Sequence, residues 1–238
     1  HDEASLIEPA KQSNRLTSTT VDTTQETYSV NGDGYDSHGN MLKMPQLQVM
    51  QWDFKDQLQM TQRQAVSAQD DEGQQRQGER TYYVSDASGQ RVRKVTELAN
   101  GNRKDERIYL GGFEIYQKLS GTNAGLVRET LHAMDDKQRI ALVETRTQGN
   151  DPAPQQFIRY QFGNHLDSAS LELDDQAQIV SYEEYTPYGS TSYQAVRSQT
   201  ETTKRYRYTD KERDEESGLY YHGARYYAAW LEIGRAHV

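Results

Sequence analysis

Apolar and polar residues alternate along this chain in short runs, and few segments carry helical periodicity. The run Arg91-Val92-Arg93-Lys94-Val95 shows the pattern, and alternation with a period of two predicts a β-strand with one buried face. The Gln-rich segment 62–80 and the Pro-containing segment 146–156 are expected to be loops, and TPYGS (186–190) a turn. Between these segments we predict strands over 81–84, 91–97, 106–118, 126–133, 138–145, 157–162, 168–173 and 178–186. A further strand, rich in Tyr and Arg, is predicted over 205–209.

A loose repeat accompanies the alternation. Each unit has an aromatic or apolar residue, then Asp, then turn residues, then an alternating strand, which predicts a series of β-hairpins whose turns begin at Asp. Irregular spacing between the units indicates insertions. The units are YDSHGNMLKM (35–44), WDFKDQLQMT (52–61), VSDASGQRVRKVT (84–96) and, more weakly, MDDKQRIALVET (134–145) and LDDQAQIVSYEEY (173–185).

Composition narrows the class of protein. The 238 residues include 17 Tyr, which argue against disorder, since disordered segments are poor in aromatic residues. The 36 acidic residues outnumber the 27 basic ones, so we expect no nucleic-acid partner. No apolar run is long enough to span a bilayer, and we expect no membrane insertion by this chain. The chain has no Cys, which excludes disulfides and thiolate sites.

Longer motifs resemble a known family. The Tyr-Asp units resemble the YD repeats of RHS proteins. The stretch YTPYGS and the later RYRYTDKERDEESGLYYHGARYYAAWL (205–231) resemble the RHS-associated core. Segments 44–65 and 134–152 resemble the SpvB/TccC-type branch, which includes the C subunit of bacterial insecticidal toxin complexes.

The resemblance implies an all-β fold, a YD-repeat β-hairpin ribbon that is part of a large RHS shell. Such a shell would contain and deliver a C-terminal toxin, with a B-type shell subunit and a translocation channel as partners, as a secreted virulence factor. It implies no cofactor and no metal. We assign 1–200 to the shell and 201–231 to a partial core. Residues 232–238, EIGRAHV, depart from the family and are expected to be a non-native tail on a gene that continues.

The resemblance also implies a candidate catalytic site. Arg213 and Asp214 match the Arg-Asp pair that the family has at an aspartyl autoprotease centre. Such chemistry needs two carboxylates that share a proton, with Arg213 as the orienter of Asp214. The second carboxylate is expected beyond Leu231, so this chain alone is not expected to cut itself. From the residues alone, solvated charges or a turn-closing pair are the favoured explanation of Arg213 and Asp214.

Four other features of the sequence carry expectations. Asp167 and Asp210 stand where the family has Gly, and a side chain at a turn residue with positive φ costs about 1 kcal/mol or more. His222 is expected to be a packed surface histidine within a hairpin of Tyr pairs, on one of whose rings Arg225 would stack. NGDGYD (31–36) is only faintly like a calcium loop and is expected to be a turn.

Two other functions compete with the toxin shell. Exposed Tyr and Trp side chains would suit a cell-surface YD-repeat adhesin or carbohydrate-binding module. The low apolar content would suit a non-functional remnant that does not fold alone.

Overall fold

The computed structural model describes residues 15–21, 23–28, 34–65, 78–136, 138–197, 204–223, 225–231 and 233–234. Within these ranges the regular structure is β-strand, apart from single 3-10 turns at Tyr208–Asp210 and Ala229–Leu231. The predicted all-β class is therefore confirmed. None of these helical turns has the length or apolar character of a transmembrane helix. Residues 31–33 of the NGDGYD motif lie outside the described residues.

The chain divides into two compact units, His1–Arg80 and Thr81–Val238. The first unit contains two antiparallel hairpins, one of β1 (Ser18–Val21) and β2 (Thr24–Thr27), the other of β3 (Leu47–Trp52) and β4 (Leu58–Arg63). Its buried hydrophobic side chains, among the residues described, are Tyr28, Tyr35, Met41, Leu47, Met50, Leu58 and Met60.

The second unit is built on a meander of strands that are hydrogen-bonded in chain order, so each strand lies beside the one before it. The pairs from β6 to β14 are antiparallel. The strands are β5 (Arg80–Ser85), β6 (Arg91–Glu97), β7 (Arg103–Tyr109), β8 (Phe113–Lys118), β9 (Val127–Asp135), β10 (Gln138–Gln148), β11 (Gln156–Gly163), β12 (Ala169–Leu173), β13 (Ile179–Tyr185) and β14 (Thr191–Val196).

In the units at Asp36, Asp53, Asp86 and Asp174 the Asp begins a hairpin turn, as the sequence predicts. At Asp86 the backbone N–H donates to the carbonyl of Gln90 (2.8 Å), and the Gly89 N–H donates back to the Asp86 carbonyl (3.1 Å). The Asp86 carboxylate accepts from the backbone N–H groups of Ser88 (2.8 Å) and Gln90 (3.0 Å). This is a type I turn followed by a residue with positive φ, here Gly89 at 84°. The same bonds recur at Asp36, Asp53, Asn164 and Asp174.

Two strand predictions were wrong. The segment 106–118 is a hairpin of β7 and β8, because Gly111 (φ 68°) allows a tight turn in which the Leu110 N–H donates to the Phe113 carbonyl (2.7 Å). The strand expected over 205–209 is replaced by an isolated bridge between Tyr206 and Glu212 and a 3-10 turn. A local turn competes with extension there, since the Arg207 N–H donates to the Lys211 carbonyl (3.0 Å).

Residues 204–231, named the core segment below, continue the second unit after the meander. They include β15 (Glu212–Arg213), β16 (Tyr220–Tyr221) and β17 (Tyr226–Ala228), which with β18 (Ile233–Gly234) form an antiparallel sheet. The hairpin predicted from LYYHGARYY is confirmed, with Tyr220 opposite Tyr227 and Tyr221 opposite Tyr226. Leu219, Tyr220 and Ala228 are buried.

Candidate functional site

Asp214 lies at the centre of a buried charged cluster. Its side chain is fully buried, at 0% exposure, directly after β15. The Nη1 of Arg91 donates to both carboxylate oxygens, at 3.0 and 2.8 Å, and the Nζ of Lys94 donates to Oδ1 at 3.0 Å. Both cations belong to β6, more than a hundred residues earlier in the chain. Asp214 therefore joins the core segment to the meander through charge-assisted hydrogen bonds.

Arg91 holds this cluster in a ring of aromatic side chains. Its Nη2 donates to Glu212 Oε2 at 2.6 Å, and its side chain is 1% exposed. Its guanidinium carbon lies 4.3 Å from the ring centroid of Tyr221, 5.0 Å from that of Tyr109 and 5.7 Å from that of Tyr83. Desolvated cation–π contacts of this kind are each worth up to about 2 kcal/mol. Arg91 is thus fixed by two carboxylates and three rings.

A second group of buried ion pairs extends the contact. Glu114, on β8, accepts from Arg205 of the core segment at 2.8 Å and from Arg107 at 2.9 Å. The ring of His132 approaches the same carboxylate at 2.8 Å. Tyr206 also donates its hydroxyl proton to Glu114. The core segment therefore meets β6 to β9 through charged groups rather than through an apolar layer.

The third ion pair group lies at β13. Glu183 is 0% exposed and accepts from Lys204 at 3.0 Å and from Arg207 at 3.1 Å. Burial raises the pKa of Glu183, but Arg207 and Lys204 outweigh burial, so the net pKa is lowered. This carboxylate is therefore ionised at neutral pH and holds the start of the core segment.

Glu212 and Glu114 are ionised at neutral pH. Burial alone would raise the pKa of Glu212, but Arg91, Lys94 and Arg205 outweigh it and lower the pKa to about 2. Burial opposes ionisation of Glu114 as well, yet Arg205, His132 and Arg107 hold its pKa well below the ordinary value. Charges held in this way bind one another and do not exchange protons near neutral pH.

Arg213 does not take the orienting position predicted for it. Its Nε donates to the carbonyl of Gly218 at 3.2 Å, within the turn that follows Asp214. The described hydrogen bonds to the Asp214 carboxylate come from Arg91 and Lys94 instead. These two residues were missed because their partners are distant in sequence. The sequence did contain one signal for them: Arg91 and Lys94 are two cations on a strand that is expected to bury one face.

The arrangement around Asp214 suits anchoring better than acid–base catalysis. An aspartyl protease needs two carboxylates that share one proton, with access to a substrate and a water. Here Arg91 bridges the carboxylates of Asp214 and Glu212 and, against the effect of burial, lowers the pKa of Glu212. A catalytic role for Asp214 and Arg213, with a second carboxylate beyond Leu231, stays a prediction.

The Tyr hairpin binds the TPYGS turn. Three tyrosine hydroxyls of the core segment donate to three consecutive backbone carbonyls of this turn, which explains why the two motifs occur together. His222 packs edge-on against one of these rings, at 5.9 Å, and is exposed, as predicted for a surface histidine. The bonds run from Tyr208 to Pro187 (2.8 Å), from Tyr227 to Tyr188 (2.6 Å) and from Tyr220 to Gly189 (3.3 Å).

Gly189 permits this close approach. Its φ is 84°, and a Cβ atom at this position would lie 2.4 Å from Cδ1 of Tyr208. Any other residue would therefore both strain the backbone and displace the ring. The rings of Tyr208 and Tyr227 stack with an interplanar angle of 29°.

Comparisons with known proteins identify the relatives. No protein-family model matches the chain. Toxin subunit YenC1 of Yersinia entomophaga is 32% identical over 208 residues, which are 82% of this chain and 20% of that subunit. The chain is homologous to a segment of this toxin subunit. It spans about a fifth of the length of this curated relative.

Solved toxin complexes have the same fold. The structure of TcdB2-TccC3-Cdc42 matches with a TM-score of 0.72 and 28% identity, over 84% of this chain and 9% of that chain. A Tc holotoxin pore of Photorhabdus luminescens, with a variant of TccC3, matches with a TM-score of 0.69 and 28% identity, over 83% of this chain and 9% of that chain. The β-hairpin shell fold expected from the sequence is thus confirmed.

Proposed function

We propose that this chain is the part of an SpvB/TccC-type C subunit in which the β-shell meets the RHS-associated core. In this role it contributes to a shell that contains and delivers a C-terminal toxin. Homology to YenC1 and the fold shared with TcdB2-TccC3 support the proposal. The single observation that carries it is the docking of the core segment on the meander through Arg91 and Asp214.

The partners follow from the same relatives. TcdB2 accompanies TccC3 in the solved complex, and a holotoxin pore contains TccC3. We propose that the full protein binds a B-type shell subunit and passes its enclosed toxin to a translocation channel outside the cell.

An adhesin or carbohydrate-binding role is less well supported. Such a module would offer Tyr hydroxyls to a sugar, whereas in the Tyr-rich core segment the hydroxyls of Tyr208, Tyr220 and Tyr227 hold the 187–189 turn. The relatives are toxin subunits.

A chimera tests the proposed function. Residues 15–231 would replace the homologous segment of TccC3, and the chimera would be co-expressed with TcdB2. We expect the two chains to co-purify and the C-terminal region to resist added protease. A matched chimera with Arg91→Met should lose protection. If the wild-type segment assembles but leaves the C-terminal region as sensitive as it is in a denatured control, containment by this segment is wrong.

The same chimera separates catalysis from anchoring. If Asp214 is a catalytic acid, Asp214→Asn should abolish self-cleavage and leave assembly intact, while Arg91→Met should impair assembly. If Asp214 is an anchor, Asp214→Asn and Arg91→Met should impair assembly and cleavage together. Cleavage products and co-purification are both read on one gel.

A further inference from the structure

A small cavity in the second unit lies apart from the Arg91 cluster. Strands β10 and β11, the turn before β12 and the 3-10 turn of the core segment enclose it, so residues distant in sequence converge on one place. The residues that line it are Gln138, Arg139, Gln161, Gly163, Asp167, Ala169 and Asp210.

Two carboxylates line this cavity from turn positions that usually hold glycine. Asp167 (φ 57°) and Asp210 (φ 54°) are each the fourth residue of a hairpin turn. The equivalent residues of three other turns in this chain are Gly39, Gly89 and Gly189. Burial raises the pKa of Asp210, whereas Arg139, Lys211 and His132 oppose that rise and the Asp167 carboxylate adds to it. Both aspartates line the same cavity.

Gln161, which also lines the cavity, has a buried amide oxygen. Gln161 is 8% exposed, and its Nε2 donates to Glu172 Oε1 at 2.9 Å. Its Oε1 is buried and has no hydrogen-bond partner among the described residues. A buried carbonyl-type acceptor without a partner costs about 1–3 kcal/mol, so it indicates a missing donor or cation.

Arg139 neutralises only part of this negative charge. Its Nη1 donates to Oδ1 of Asp210, and its Nε lies 3.2 Å from Nδ1 of His132. Its guanidinium carbon is 3.6 Å from the centroid of Tyr206, which fixes its position. Oδ2 of Asp210 and Oε1 of Gln161 remain as oxygen ligands, and Asp167 adds a carboxylate whose Oδ1 accepts from Nε2 of Gln138 at 3.5 Å.

We propose that Asp167, Asp210 and Gln161 form a binding site for a hard divalent cation, Ca²⁺, which joins the core segment to β11 and to the turn before β12. Two carboxylates and an amide oxygen are ligands that Ca²⁺ prefers, and water completes its flexible coordination shell. Arg139 already binds the Asp210 carboxylate and so competes with the cation for it. We therefore expect weak binding, as in extracellular calcium modules, with a Kd on the order of 1 mM. The ion would bind only when both turns are in place.

Calcium-dependent thermal unfolding of the 238-residue chain tests this site. At a Ca²⁺ concentration ten times Kd, the ratio of folded to unfolded protein should rise roughly elevenfold, which raises the Tm by about 3 to 6 °C. Mg²⁺ at the same ionic strength should give a smaller shift, because it demands stricter octahedral geometry. Calorimetric titration should give one Ca²⁺ per chain.

Three variants distinguish calcium binding at this site from changes in Tm that arise from backbone strain or from surface charge. Asp167→Gly relieves the positive φ, so it should raise the Tm without calcium and abolish the calcium-dependent rise. Ala177→Gly relieves the same strain at an equivalent turn (φ 58°) and should keep the calcium response. Asp175→Asn removes one exposed carboxylate elsewhere and should also keep it. A calcium response that survives Asp167→Gly, or no response in the wild-type chain, overturns the proposal.

Discussion

Replacement of Arg91 by Met removes the cation that joins the core segment to β6. The variant leaves Asp214, at 0% exposure, with Lys94 alone, and removes one partner of Glu212. Breaking a buried ion pair from one side costs about 3–5 kcal/mol, because an anion stays buried without its compensating charge. Met keeps much of the side-chain volume among the three rings, so cavity formation is a minor part of this loss. We therefore expect Arg91→Met to destabilise the second unit by about 3–5 kcal/mol.

Arg93, two residues after Arg91 on the same strand, provides the control. Arg93 pairs with Glu106 at 2.6 Å, but its side chain is 37% exposed. Exposed pairs contribute about 0–1 kcal/mol, so Arg93→Met should cost less than about 1 kcal/mol. Both substitutions change the same residue type on the same strand, which isolates burial as the variable.

Urea unfolding followed by Trp230 fluorescence measures both variants. Trp52, which lies in the first unit, is replaced by Phe in the reference protein and in each variant so that only the second unit is monitored. A cycle of Arg91→Met and Asp214→Asn should give a coupling energy of about 1–3 kcal/mol. If Arg91→Met costs no more than Arg93→Met, the cluster does not anchor the core segment, and the reasoning is refuted.

Three further outcomes are expected. Glu212 has a pKa lowered from 4.5 to about 2, so it contributes about 3 kcal/mol above pH 4.5 that is lost as the pH falls toward 2. Urea midpoints measured against pH should show this loss in the wild type and a shallower one in Glu212→Gln. Gly101→Ala, where φ is 82° and no atom lies within 4 Å of the new Cβ, should cost about 1 kcal/mol, whereas Gly189→Ala should cost at least 1 kcal/mol more because of the ring of Tyr208. Equal losses from these two glycine variants would contradict the packing described for the 187–189 turn. Tyr227→Phe removes a hydroxyl that bonds the carbonyl of Tyr188 at 2.6 Å and should cost about 0.5–1.5 kcal/mol by chemical denaturation, with no change expected if water replaces that bond fully.

The hairpins were predictable because their determinants are local. An Asp or Asn that accepts two backbone N–H groups within four residues specifies its turn whatever surrounds it, as at Asp86. The strand error at 106–118 was also local, since Gly111 and Gly112 mark a turn within an otherwise strand-like run.

The site was less predictable because its contacts are long-range. Asp214 was singled out by resemblance, but its partners Arg91 and Lys94 stand on a strand whose polar residues look solvent-exposed in the sequence. The alternating pattern of β6 predicts that one face of the strand is buried. It does not predict that the segment covering this face is charged. The neighbouring Arg213 was the natural partner to expect, yet successive strand residues point to opposite faces.

Amide hydrogen exchange over residues 204–223 tests the central claim most directly. If the core segment is anchored on the meander, the amides of Arg207, Arg213 and Asp214, which donate to backbone carbonyls at 2.9–3.0 Å, should be strongly protected in the wild-type chain. In Arg91→Met they should exchange much faster while β8 to β13 keep their protection. Exchange of these amides in the wild-type chain at the rate of an unstructured peptide would contradict the account.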